Sequence, residues 1–315
     1  MRYALLLAAG CAAAPFTILP LGDSITYGCG NVDTCGVTHD PRSKTCGYER
    51  NDSKLPARKG CQSDKVVGCP YTPCPTCMGD AGSGSYRAPL KALLEGWQPQ
   101  TFEFVGTRHG GGTAHMGFPG WRIDQIYNIS ANWTALAPDA ITLLIGTNDV
   151  MQGPYAYAPF PTSQFPQMKC DGFGNSSAPF PWHCDVSTLA GRMDVLLAKI
   201  FEQLPHTQLF LSTITGLPTV NLCYYWPNGE TDQRSLGLAY NAYLPALVEK
   251  YSARGFAVTL VDMLNQTGVG REGQDACPCH IHPDDDGYAK MATAWFDSLR
   301  AHLRLPEDGL ELVEQ

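Results

Sequence analysis

Four points along this 315-residue sequence carry the residue types that nucleophilic acyl transfer needs. Residues 16–28 read FTILPLGDSITYG, a run of β-forming apolar residues that stops at Gly-Asp-Ser. A strand ending this way delivers the Ser24 hydroxyl to the edge of a sheet. A hydroxyl is a weak nucleophile until a base takes its proton and donors stand ready for the oxyanion it creates. His282, in HIHPDDDGYAKMATAWF, has an imidazole able to take that proton and return it to a leaving group. Asn148, in LLIGTNDV, offers a neutral amide donor. Gly120, in HGGGTAHMGFPGW, offers a backbone N–H beside a helical pattern, where unpaired donors and the helix dipole favour negative charge. Each point also has a plain reading: Gly-Thr-Asn-Asp as a turn, the glycine-rich stretch as a flexible loop, and His282 as a surface histidine like His109, His115 or His280. A phosphate loop is a weak rival, since Gly-Lys-Ser/Thr is missing.

The elements that must position these groups follow from periodicity. Apolar, β-rich runs occupy 16–21, 101–106, 140–145, 209–213 and 257–262. Helix-period stretches occupy 86–97, 122–136, 187–204, 235–254 and 285–303. Strands alternating with helices predict a parallel sheet covered on both faces, with its reactive crevice at the carboxyl ends of the strands. Ser24, the glycine-rich loop, Asn148 and His282 follow the first, second, third and fifth runs. Two segments interrupt the rhythm. Residues 29–85 hold seven cysteines with much Gly, Pro, Asp and Lys, and read as a disulfide-stapled insertion. Residues 152–185 are rich in aromatics and prolines, and Cys170 and Cys184 are placed to close that second insertion. The predicted organisation is a leader at 1–14, one domain at 15–304 carrying both insertions, and a tail at 305–315.

Taken together, Gly22-Asp23-Ser24, Gly120, Gly146-Thr147-Asn148-Asp149 and His282-Pro283 resemble the four ordered blocks of the SGNH hydrolases, also called GDSL-type esterases and lipases. The resemblance covers the alternating framework and leaves out the two insertions. It implies a flavodoxin-like three-layer α/β/α sandwich with a five-stranded parallel sheet, Ser24 as nucleophile and His282 as base. It also implies an oxyanion hole made by the Ser24 N–H, the Gly120 N–H and the Asn148 side chain, with no metal or organic cofactor. One departure stands out. The family usually has Asp-x-x-His in its last block, and here the aspartate position is Cys279. A cysteine cannot stabilise an imidazolium as a carboxylate does. A backbone carbonyl orienting His282, a carboxylate such as Asp275 arriving from elsewhere, or low activity are the three outcomes; the favoured one is a Ser24–His282 dyad with a backbone partner. Asp284, Asp285 and Asp286 read as helix N-terminal groups.

Within the superfamily, ILPLGDSITYG, GSYRAPL, FEFVGT, FPGWRIDQI and LLIGTND look most similar to carbohydrate esterase family three, whose members remove acetyl groups from xylan. Aromatics of the second insertion, with Tyr224, Tyr225 and Trp226, would suit stacking on sugar rings, or simply pack their own loops. The net charge of −8, without a basic run, argues against nucleic acid as a partner. MRYALLLAAGCAAAPF has the form of a secretory signal peptide, with a buried first element as the alternative. Removing it leaves twelve of thirteen cysteines, an even number for pairing in an oxidising compartment. Sequons at Asn51, Asn128, Asn132, Asn175 and Asn265 point the same way and weigh against zinc at Cys74/Cys77 or Cys277/Cys279. The expectation is a secreted, monomeric esterase acting on an acetylated polysaccharide, away from membranes. The rivals are an esterase of the same fold acting on lipid, aromatic or polyester substrates, and a carbohydrate-binding or effector protein that has lost turnover.

Overall fold

The computed structural model describes residues 14–29, 84–99, 101–152, 165–166, 185, 187–217, 233–271 and 281–303. Most of both insertions, the leader and the tail lie outside these residues, as do Asp275, Cys279, His280, residues 224–226 and every cysteine except Cys29.

The frame is a seven-stranded, mostly parallel sheet in the order β3-β4-β1-β5-β6-β7, with β2 also paired to β1. Strand β1 (Phe16–Gly22) lies beside β5 (Ala140–Leu144), in register from Ile18 opposite Ala140 to Gly22 opposite Leu144. Beyond β5 come β6 (Gln208–Ser212) and β7 (Val258–Val261), both parallel. On the other side of β1, one strand position is shared. β2 (Phe102–Phe104) pairs with Phe16 to Ile18, and β4 (Thr113–Gly117) pairs with Leu21 and Gly22. Between them β3 (Arg108–Gly110) folds back antiparallel to β4. The sheet therefore departs from five parallel strands, and the expected glycine-rich loop is instead largely a hairpin. Its physical reason is the alternation Thr113, His115 buried and Ala114 half-buried, which the flanking glycines obscure.

Successive residues of each central strand feed opposite faces, as period-two geometry demands. Leu19, Leu21, Ile141, Leu143, Leu209 and Leu211 point into one core with α3 (Ile123–Asn128), α4 (Ser130–Thr134), α6 (Ser187–Gln203) and α7 (Gln233–Ser252). Ile18, Ala140, Leu144 and Phe210 point into the other with α2 (Arg87–Trp97), α8 (Met263–Thr267) and α9 (Asp285–His302). The result is three layers, helices over both faces of the sheet. Two short helices complete the edge where strands end: α1 (Ser24–Tyr27) and α5 (Thr147–Gln152). The single helix expected over 122–136 is broken at Ile129, because the Trp133 indole N–H donates to the Ile126 carbonyl at 2.9 Å. That carbonyl is the one the next helical N–H would have used.

At the end of β4 the backbone passes so close to α1 that a Cβ on Gly117 would lie 2.4 Å from the Tyr27 nitrogen. Gly117→Ala is expected to cost about 1–3 kcal/mol of stability by overpacking against backbone that has no rotamer to yield. Urea denaturation of the variant and the parent measures it.

Candidate active site

Ser24 is set at the first position of α1 by two local features. A Cβ on Gly22 would lie 2.1 Å from the Leu144 carbonyl oxygen, so only glycine lets β1 turn there against β5. Asp23 then caps the helix, its side chain accepting the Ile25 N–H at 2.9 Å. The carbonyls of this four-residue helix are all engaged. Gly28 and Cys29 donate to Ser24 O, Ser85 Oγ donates to Ile25 O at 2.6 Å, and Arg87 donates through Nε to Thr26 O at 2.8 Å and through Nη2 to Tyr27 O at 3.0 Å. Arg87 also bonds Gly110 O and the Thr113 hydroxyl, fastening the hairpin to the same helix. Its guanidinium is buried among carbonyls, and burial pulls its pKa down to about 10, so it stays charged at neutral pH.

The structure brings Ser24 and His282 together: Ser24 Oγ and His282 Nε2 are 2.8 Å apart, at a serine only 3% exposed. His282 directly precedes Pro283 and α9. Asp284 caps that helix by accepting the Gly287 N–H at 2.8 Å, and Asp285 and Asp286 occupy its first turn, the helix-start roles expected of them. From the same helix the Tyr288 hydroxyl donates to the Cys29 carbonyl, so the helix that follows the imidazole is tied to the chain just past the serine's own helix. Cys279 and Asp275, weighed as the orienting partner of His282, fall outside the described residues.

Gly120 sits in the turn closed by Trp121 N donating to Phe118 O at 3.1 Å. Its φ of +78° is the left-handed conformation that glycine alone adopts cheaply. Asn148 is buried in the first turn of α5 and donates through Nδ2 to the Trp121 carbonyl at 3.0 Å, which leaves its second N–H for an oxyanion. The Asn-Asp pair thus reaches across to the neighbouring loop, since Asp149 also accepts the Ile123 N–H at 3.0 Å. A buried serine bonded to an imidazole at a strand edge is the equipment for attack on an acyl carbon.

Residues 76–290 match the GDSL-like lipase/acylhydrolase family, a span that takes in Gly120, Asn148 and His282 and begins beyond Ser24. The chain belongs to that family. A multidomain esterase from Ruminococcus flavefaciens is 24% identical over 302 residues, which is 93% of this chain and 29% of the relative, so the chain spans under a third of that protein. Among solved structures, a family 3 carbohydrate esterase from Clostridium thermocellum superposes with a TM-score of 0.52 at 21% identity, covering 91% of this chain and 96% of the other. A carbohydrate esterase family 3 structure from Talaromyces cellulolyticus gives 0.50 at 15% identity, with 91% and 97% covered.

Behind Asn148, the chain holds a buried ion network that the motif reading missed. Arg192 of α6 donates through Nε to Asp149 at 2.8 Å and through Nη2 to Asp124 at 2.5 Å, and Arg122 forks onto Asp124 with both bonds at 3.1 Å. Burial works to discharge Arg192, but Asp149 and Asp124 outweigh it and its pKa is raised. The signal was present in sequence: Leu189, Arg192, Met193, Leu196 and Ile200 form one helical stripe, and a lone arginine in an apolar stripe must have buried partners. Arg192→Met should cost about 3–5 kcal/mol, because Asp149 is left buried without its cation and Asp124 keeps only Arg122; chemical denaturation reads the loss.

Asp23 is buried completely, and that burial, above all, raises its pKa from 3.8 to about 7. Between these values the folded state holds the proton more tightly than the unfolded chain. The stability Asp23 contributes is therefore full below about pH 3.8 and lost as pH rises through 7. The stability of the parent relative to Asp23→Asn should fall between pH 4 and 7 by on the order of 2–4 kcal/mol, measured by denaturant titration at each pH.

Proposed function

We propose that this acylhydrolase is a secreted serine esterase that removes short acyl groups, acetyl above all, from a polysaccharide, with acetylated xylan the first candidate. The observation that carries the reading is the 2.8 Å contact between Ser24 Oγ and His282 Nε2. In the forward step His282 takes the Ser24 proton at Nε2, Oγ bonds to the acetyl carbon, and the carbonyl oxygen becomes an oxyanion. The Ser24 N–H at the start of α1, the Gly120 N–H and the free Asn148 N–H are the donors assigned to it. As the tetrahedral centre collapses, the ester C–O bond breaks and His282 hands its proton to the departing sugar hydroxyl. Water then enters, loses a proton to His282, attacks the acetyl-serine and releases acetate.

Support for a carbohydrate ester comes from the family 3 carbohydrate esterases among the structural neighbours, whose likeness is one of fold. Secretion is supported by the leader-like N-terminus and by three sequons, Asn128, Asn132 and Asn265, on exposed residues.

Hydrolysis of nitrophenyl acetate should fall at least about 10³-fold in both Ser24→Ala and His282→Ala. Acetate should be released from acetylated xylan, while nitrophenyl esters of long acyl chains should be poor substrates. Equal rates for Ser24→Ala and the parent would overturn the acyl-enzyme, and a preference for long chains would move the reading to a lipid esterase.

A further inference from the structure

The two strands beyond β5 end at the same edge of the sheet as Ser24, and a cavity of about 480 Å³ opens there without involving Ser24 or His282. Thr215 and Leu217, just past β6, form one wall; Arg234, Leu238 and Asn241 of α7 form another, and Arg271, just past α8, closes a third. The floor is a backbone crossing. Gly216 N donates to Val269 O at 2.8 Å, and a Cβ on Gly270 would lie 2.2 Å from the Gly216 oxygen. Asn241 fixes the α7 wall by pairing with both the N–H and the carbonyl of Ile214, each at 2.9 Å. The preceding residue fixes the same helix to the catalytic edge: Tyr240 donates its hydroxyl to Ile145 O at 3.0 Å, and its ring occupies the space a Cβ on Gly146 would need. One rigid helix thus joins the Asn148 turn to the cavity.

The lining has a definite chemistry. Two exposed guanidiniums, Arg234 and Arg271, face a cavity whose wall contains no carboxylate among the described residues, in a chain of net charge −8. Among the described residues neither forms an ion pair; Arg271 donates only to the neutral Asn265 amide. Thr215 adds a buried hydroxyl with no partner among the described residues. On the α7 wall stands Leu238, at 48% the most exposed large hydrophobic side chain among the described residues. A ligand matching both features needs an apolar ring face and a carboxylate, and its size must suit a cavity in the range of small-ligand sites. Strand spacing sets the cavity roughly 10–15 Å along the edge from Ser24, within reach of the same polymer chain.

The geometry points to a second subsite for a uronic-acid substituent of the polysaccharide, its carboxylate held by Arg234 and Arg271 and its ring laid on Leu238 and Leu217. This assignment rests on the polysaccharide reading of the active site. It makes the enzyme prefer acetyl groups a few sugars away from an acidic branch.

The test uses full-length Ser24→Ala, which cannot turn substrate over, titrated calorimetrically with a xylo-oligosaccharide bearing a glucuronic acid branch and with a neutral one of equal length. Free glucuronate, followed by NMR, serves as an independent probe of the cavity. The branched probe should bind about tenfold tighter, and that advantage should vanish in Arg234→Gln/Arg271→Gln and shrink at high salt. The same double substitution in the active enzyme should leave nitrophenyl acetate hydrolysis unchanged, which shows that the fold survives. Equal binding of the two oligosaccharides, an advantage that persists without the arginines, or equally tight binding of inorganic phosphate would overturn the subsite. Failure of acetylated xylan to release acetate would instead overturn the polysaccharide reading, while glucuronate binding would still decide the cavity.

Discussion

Parallel pairing of β1 with β5 governs what the rest of the chain is able to do. The two strands run in register to their ends, where Gly22 lies opposite Leu144 with no room for a side chain between them. Because both strands point the same way and stop together, the segments that leave them, one carrying Ser24 and the other Asn148, emerge side by side. Bonds between the loops then fix the spacing that the strands establish. Asn148 and Asp149 hold the 121–123 backbone, which fixes Gly120, and Tyr288 holds the end of the serine helix from α9. Among the described residues, the serine helix and the asparagine turn are each held by neighbours that the sheet positions.

Two buried arginines stabilise this edge in opposite electrostatic ways. Arg87 lies among carbonyl dipoles, so desolvation dominates and its pKa falls, whereas Arg192 lies between carboxylates and its pKa rises. Removing a guanidinium from water costs several kcal/mol in either place. The cost is offset at Arg87 by hydrogen bonds to backbone that would otherwise be unsatisfied, and at Arg192 by direct pairing with Asp149 and Asp124. Both give orientation: one immobilises the short helix that carries Ser24, the other the turn that carries Asn148.

The alternation of strands and helices was legible because β1, β5 and β6 are buried apolar runs, β7 is a half-buried one, and α2, α6 and α9 carry clear apolar stripes. The serine, glycine, asparagine and histidine were legible as residue types at strand ends. The hairpin of β3 and β4 was not, since its strands are three and five residues long and glycine-rich, too short for a period to emerge. The break at Ile129 was equally hidden, because it comes from an indole seven residues away in the chain competing for one carbonyl. Arg192 and Arg87 were visible as charges in apolar stripes, but the carboxylates of Arg192 lie 43 and 68 residues away and the carbonyls held by Arg87 23 to 61 residues away. Such partners are matters of tertiary structure.

The contact between Ser24 and His282 bridges 258 positions of sequence. Closing so long a loop has an entropic penalty that only a completed sheet, with its helices in place, repays. A nascent chain that has not yet released its last helix therefore lacks the Ser24–His282 contact, however much of it has already folded.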